Sequence, residues 1–161
     1  MEEDKMKGNE KILGTLNLLL ADELTAISQY MVQSEMCADW GYEKLHEAIE
    51  KRAIGEMKHA EKLIGRIIFL EGKPIVSNLN KINIGETVDA QHKNDHAAEE
   101  TAIKGYNDAI RLAVETGDNG SRDLFEEILE DEENHIDWIE SQLDQIEQMG
   151  LPVYLGEQLE E

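Results

Sequence analysis

Apolar side chains recur along this chain every three or four residues, and four long stretches carry the pattern. From about Asn9 to Met36 the seam runs through Ile12, Leu16, Leu19, Leu20, Leu24, Ile27 and Met31, the spacing of a helix with one buried face. Asp39-Trp40-Gly41 breaks it. A second stretch, from about Tyr42 to Glu71, places Leu45, Ile49, Glu56, His59, Leu63 and Leu70 on one seam, and Gly72 and Pro74 stop it. The segment from Gly72 to about Glu86 has no amphipathic period and reads as a long connection. A third helix is predicted from about Thr87 to Glu115, and Thr116-Gly117-Asp118-Asn119-Gly120 is a turn. A fourth runs from about Ser121 to Met149 with Phe125, Ile128, Glu132, His135, Ile139 and Ile146 on one face. After Gly150, Pro152 opens a short fifth helix predicted to end near Glu160.

The connection lengths give the topology. Two tight turns make helix one antiparallel to two, and three antiparallel to four. A helix of about 29 residues is roughly 43 Å long, and the ~15-residue connection spans about 50 Å when extended. It can cross the whole bundle, so helices two and three can run parallel. The expected fold is all-α, a four-helix bundle in a single domain over residues 1–161, with a long crossover between helices two and three.

Some apolar-seam positions are occupied by ionisable groups, and these repeat. Glu23 is followed 33 residues later by Glu56-Met57-Lys58-His59, and Glu99 is followed 33 residues later by Glu132-Glu133-Asn134-His135. The halves are offset by 76 residues, and Tyr30 and Tyr106 keep that offset. The midpoint of each Glu pair falls on a tight turn, so each lone glutamate sits level with its Glu-x-x-His, near mid-bundle. Residues i and i+3 share a helix face, so each Glu-x-x-His aims an oxygen and a nitrogen at one place. One such pair is weak evidence of a metal site. Two, level with two further inward glutamates, describe a pair of cation sites, because four buried carboxylates without compensation would cost many kcal/mol. Arg52, one turn before Glu56, is the main basic residue expected to neutralise them. Carboxylates with one imidazole per ion suit iron or manganese, and zinc could also bind. The expected chemistry is oxidation of Fe(II) by O₂ or peroxide, with Glu56 and Glu132 bridging and Glu23 and Glu99 terminal.

Composition narrows the alternatives. The 161 residues carry a formal charge of −21, which disfavours nucleic acid and anionic membrane surfaces as partners and favours cations. The charged opening, Met1 to Lys11, has no apolar core of a signal peptide, and the run Leu18-Leu19-Leu20-Ala21 is too short to span a bilayer. Together with the single Cys37, which suits a reducing compartment as a core or interface residue, this predicts a cytoplasmic location.

The pattern resembles bacterioferritin. The resemblance runs from the Glu23 region through Glu56-Met57-Lys58-His59, the Leu70-Glu71-Gly72 and Asn83-Ile84-Gly85-Glu86 crossover, to Asp131-Glu132-Glu133-Asn134-His135-Ile136-Asp137-Trp138. It implies a ferritin-like bundle in which Glu23, Glu56, His59, Glu99, Glu132 and His135 form a di-iron ferroxidase centre. It further implies a hollow homo-oligomeric shell of 24 subunits storing ferric mineral, and haem shared between two subunits with Met57 as its ligand. A small ferredoxin is the implied electron donor for iron release. Some family members carry a further cavity-side iron site with a His and an Asp on helix two. Lys51 and Gly55 stand there instead, so that site is not expected; Gly55, costly in a helix interior by roughly 1 kcal/mol, suggests close packing.

Other residues leave alternatives open. His92 and His96, spaced i, i+4, could bind zinc or hold positions on the surface or at the bundle end. Tyr30 and Tyr106 could hydrogen-bond ligand carboxylates, or Tyr30 could supply an electron during oxygen reduction. His46 has no partner visible in the sequence. Competing with a storage ferroxidase are a non-storing di-iron or dimanganese oxidoreductase, rubrerythrin-like or manganese-catalase-like, and a metal-free helical scaffold. A single cysteine excludes the Cys-x-x-Cys electron-transfer module of rubrerythrin.

Overall fold

The computed structural model describes residues 6–160; residues 1–5 of the charged opening segment, and residue 161, lie outside the described residues. Five helices follow in order: α1 Glu10–Asp39, α2 Glu43–Phe69, α3 Val88–Thr116, α4 Asn119–Met149 and α5 Leu151–Gly156. The side chain of Asn9 caps α1 by accepting from the amides of Lys11 and Ile12, Thr87 caps α3 through Ala90, and Asp118 caps α4 through Ser121. Each satisfies amides that the first helical turn leaves unpaired. Gly117, at φ 71°, closes α3 in the left-handed conformation that glycine adopts without strain. The fifth helix is shorter than the sequence predicts. It stops at Gly156, and Gln158 turns back to donate its side-chain amide to the carbonyl of Tyr154.

The bundle core is divided. One apolar cluster gathers Ile12, Leu16, Leu20, Leu63, Ile67, Ala113, Phe125 and Ile128 at the end holding the α3–α4 turn. The other gathers Tyr30, Cys37, Leu45, Ile49, Val88 and Tyr154 at the end holding the α1–α2 turn, where α5 packs. Between them lies a layer of buried ionisable groups.

The crossover from Leu70 to Thr87 returns along α1, held by side chains rather than by strand pairing. Asn17 accepts from the amide of Ile75 and donates to the carbonyl of Lys73, Thr25 accepts from the amide of Asn80, Gln29 from Asn83 and Gln33 from Gly85. These positions are spaced by multiples of four, so they form one row along α1. The last rung requires a glycine. A Cβ on Gly85 would fall 2.3 Å from the backbone nitrogen of Gln91.

Candidate metal centre

The two halves of the repeat converge in the buried middle layer. Glu23 of α1, Glu56 and His59 of α2, and Glu132 of α4 each place one ligand atom in a common group, and Glu56, Glu99 of α3, Glu132 and His135 form a second; within each group the atoms lie within 4.8 Å of one another. Glu56 and Glu132 belong to both. All four glutamates are buried.

The geometry is nearly two-fold symmetric. His59 Nδ1 lies 3.0 Å from Glu132 Oε1, 3.6 Å from Glu23 and 3.9 Å from Glu56, and His135 Nδ1 lies 2.9 Å from Glu56 Oε1, 3.5 Å from Glu99 and 3.9 Å from Glu132. Each imidazole is closest to a carboxylate of the other repeat. The tyrosines cross as well. Tyr30 donates to Glu99 Oε1 and Tyr106 to Glu23 Oε1, both at 2.6 Å. Helical side chains lean toward their own N-terminus, so on antiparallel helices Glu99 leans toward Tyr30 and Glu23 toward Tyr106.

Short distances do not amount to hydrogen bonds here. His59 Nδ1, His135 Nδ1, Glu56 Oε1, Glu132 Oε1, Glu23 Oε2 and Glu99 Oε2 are all buried and have no hydrogen-bond partner. A buried polar atom left unpartnered costs ~1–3 kcal/mol, more when charged. Six of them, one from each repeated residue, face shared points rather than each other. This is the disposition that fits divalent cations.

Electrostatics agrees. Burial, followed by repulsion from Glu23, raises the Glu56 carboxyl well above the usual range, and burial with repulsion from Glu56, Glu99 and Glu23 does the same for Glu132. Burial also opposes ionisation of Glu99, but the close approach of Glu132 and His135 and the hydrogen bond from Tyr30 outweigh it and hold Glu99 down at about 2. Desolvation pulls His59 down, and the carboxylates of Glu132, Glu23 and Glu56 override it and push it far up.

Surrounding residues differ between the two sides. His59 Nε2 meets Asp131 Oδ2 at 2.8 Å, which keeps a proton on Nε2 and turns Nδ1 inward. Nothing in the spacing of the repeat singles out Asp131. Gly55 is not explained by tight packing, because a Cβ there would meet only His135 Nε2, at 4.0 Å. Arg52 does not neutralise the centre's glutamates as expected; it pairs with Asp95 Oδ2 at 3.0 Å, buried between the rings of Tyr30 and Trp138. Asp95 also accepts from Gln29 and Gln33, which ties it to the crossover row. His92 and His96 do not form one site. His92 is buried and meets the Tyr154 hydroxyl of α5 at 2.9 Å, while His96 pairs on the surface with Glu100 and Glu140. Met57 points away from the centre and is 44% exposed beside Ile27, Met31 and Ile54. Cys37 is buried in the core, where burial pushes its thiol up to about 12. A cleft of about 220 Å³ beneath the crossover, lined in part by Asp22, Asn80 and Asn83, reaches Glu23, Glu56, Glu99 and Glu132. Among the described residues no helix is long and apolar enough to cross a membrane.

The sequence is similar to those of known proteins. The profile of the ferritin-like domain matches residues 13–149. A bacterioferritin of Rhodobacter capsulatus is 41% identical over 145 residues, 90% of each chain. A bacterial ferritin of Synechocystis sp. is 41% identical over 155 residues, 96% of this chain and 99% of its own, and a bacterioferritin of Mycolicibacterium paratuberculosis is 38% identical over 149 residues, 92% and 94%. With the domain match and these relatives spanning its four long helices, the chain belongs to the bacterioferritin family of ferritin-like proteins.

Proposed function

We propose that this protein stores and detoxifies iron, oxidising Fe(II) to Fe(III) with O₂ or peroxide at a dinuclear centre of Glu23, Glu56, His59, Glu99, Glu132 and His135. The observation that carries the reading is the overlap of two ligand groups on Glu56 and Glu132. Two cations held there would share both carboxylates, with Glu23 and His59 completing one side and Glu99 and His135 the other. Four carboxylates balance the charge of two divalent ions, the compensation that burial demands.

Each residue has a part in that chemistry. Two ferrous ions side by side supply the two electrons that, with two protons, reduce O₂ to H₂O₂, leaving two ferric ions. Glu56 and Glu132, whose carboxyls burial and mutual repulsion push well above the usual range, would give up any proton they carry as cations enter. Tyr30 and Tyr106 occupy one oxygen of Glu99 and Glu23, leaving the second oxygen of each for an ion. Asp131 fixes the ring of His59. The cleft under the crossover is the route by which small reactants reach this layer.

The resemblance extends the proposal to the assembly. A 24-subunit cytoplasmic shell, each subunit a single domain, would enclose the mineral, and a small ferredoxin would return electrons for release. Met57 fits a role as haem ligand, one thioether from each of two subunits, because it is exposed on an apolar groove with Ile27, Met31 and Ile54 and a thioether is a known axial ligand. Bound haem would supply a one-electron carrier between the surface and the mineral. Replacing Met57 by Leu is expected to remove the haem absorption band from the purified protein.

Anaerobic loading of metal-free protein with increasing Fe(II), followed by oxygen, tests the main reading. Ferric absorbance continuing far beyond two irons per chain inside a soluble particle is expected; saturation at two would mean an enzyme without storage. Oxidation no faster than in protein-free buffer would overturn both.

A further inference from the structure

Outside the central layer, Glu35 near the end of α1 and His46 and Glu50 in the first two turns of α2 bring an imidazole and two carboxylates to one place, with ligand atoms within 4.8 Å of one another, whereas His96 meets its two glutamates through opposite ring nitrogens. His46 is already oriented. Its Nδ1 lies 3.0 Å from the Ser34 carbonyl and 2.9 Å from the Ser34 hydroxyl; the carbonyl can only accept, and the hydroxyl, which donates to the His46 carbonyl at 3.1 Å, is left to accept as well, so the proton sits on Nδ1. Nε2 therefore keeps its lone pair and points toward Glu50, whose Oε2 is 3.6 Å away. An imidazole pinned through one nitrogen to a backbone carbonyl and open at the other is prepared as a metal ligand.

The spacing supports this over a surface ion pair. At 3.6 Å the His46–Glu50 contact is too long for a hydrogen bond. Donor atoms bound to one tetrahedral ion at ~2.0–2.2 Å sit about 3.3–3.6 Å apart. An i, i+4 pair needs only one carboxylate, yet Glu35 is brought in from the neighbouring helix, so an ion here would join α1 to α2 next to their turn. Glu35 and Glu50 also line the apolar groove that holds Met57, and Glu50 and Met57 stand about 100–120° around α2 from Glu56.

We propose that Glu35, His46 and Glu50 form a mononuclear site for a divalent transition ion, zinc or iron(II), separate from the dinuclear centre. One imidazole with two carboxylates and an open position selects such ions over magnesium and calcium, which take oxygen ligands. The inference does not depend on the proposed ferroxidase activity.

The test uses the intact assembled protein, stripped of metal and equilibrated with zinc in excess magnesium to suppress carboxylate-only binding. His46→Ala is expected to bind one zinc fewer per chain than the parent, and Glu35→Gln/Glu50→Gln to bind it at least tenfold more weakly. The double variant His59→Ala/His135→Ala, disabled at the central layer, is expected to keep the zinc that His46 holds, so failure of the central reading would leave this signal standing. In crystals soaked with zinc, an anomalous peak should lie between the three side chains. Equal zinc content in parent and His46→Ala protein, or no peak there at saturation, would overturn the site.

Discussion

The two ends of the bundle treat the same repeated chemistry differently. Tyr106, which holds Glu23, lies against Phe125 in an apolar cluster. Tyr30, which holds Glu99, lies in a polar lattice: Arg52 stacks on its ring and pairs with Asp95, Trp138 covers the other side of the guanidinium, and His92 joins Trp138 to Tyr154 of α5. The imidazoles differ too. The side chain of His59 is 3% exposed and braced by Asp131, whereas that of His135 is 20% exposed above Gly55. Distances inside the layer match within 0.1 Å between the halves. The lesson is that a repeated ligand set can be kept symmetric while its supports diverge, so the two positions can differ in affinity without differing in ligands.

The largest effect expected from breaking this contrast comes at Arg52. Arg52→Met leaves Asp95 buried without its cation, and a loss of about 3–5 kcal/mol is expected in denaturant unfolding; adding Asp95→Asn should restore part of it. Next is Asp131→Ala. Second-sphere partners of a ligating histidine are worth about 10–100-fold in metal affinity, so one of the two central positions should weaken by that factor while the other holds. Calorimetric titration with a redox-inert divalent ion should then resolve two steps where the parent gives one.

A third prediction concerns acid. Burial, reinforced by Arg52, depresses His92 from 6.5 to about 3, so between these values the unfolded chain binds a proton that the folded chain refuses. The stability contributed by neutral His92 is full above pH 6.5 and is lost as pH falls toward 3, at ~1.4 kcal/mol per pH unit. His92→Gln should flatten the pH dependence of unfolding in that window, while leaving the Tyr106 end unaffected. The smallest effect is at Gly55, where Ala meets no obstruction. Gly55→Ala should raise stability by up to ~1 kcal/mol, visible as a higher melting temperature, and should slow solvent access to His135 alone.

Much of the centre was legible because its regularity is one-dimensional. A 33-residue interval centred on each tight turn suffices to level Glu23 with Glu56 and Glu99 with Glu132, and helical period puts His59 and His135 on the same faces. What escaped depends on neighbours across helices. Asp131 stands beside Glu132 in sequence, yet only the proximity of α2 to α4 gives it His59 as a partner. Arg52 was legible as buried and cationic, but its choice of Asp95 over Glu56 turns on which acid α3 presents. Asp95 did leave a signal, lying one turn before Glu99 on the same face. Asn17, Thr25, Gln29 and Gln33 read as ordinary polar positions because the backbone they serve has no sequence signature of its own.

That row of four makes α1 a ruler. Its marks are spaced in whole multiples of four residues, and the crossover is laid against them at Ile75, Asn80, Asn83 and Gly85. A single residue inserted into α1 between Asn17 and Gln29 would rotate every later mark by about 100°, detaching the crossover from that point onward and withdrawing Gln29 and Gln33 from Asp95. Length can change freely only in the slack between marks, as from Ile75 to Asn80, so α1 is fixed in length across this span by the strand of chain it measures.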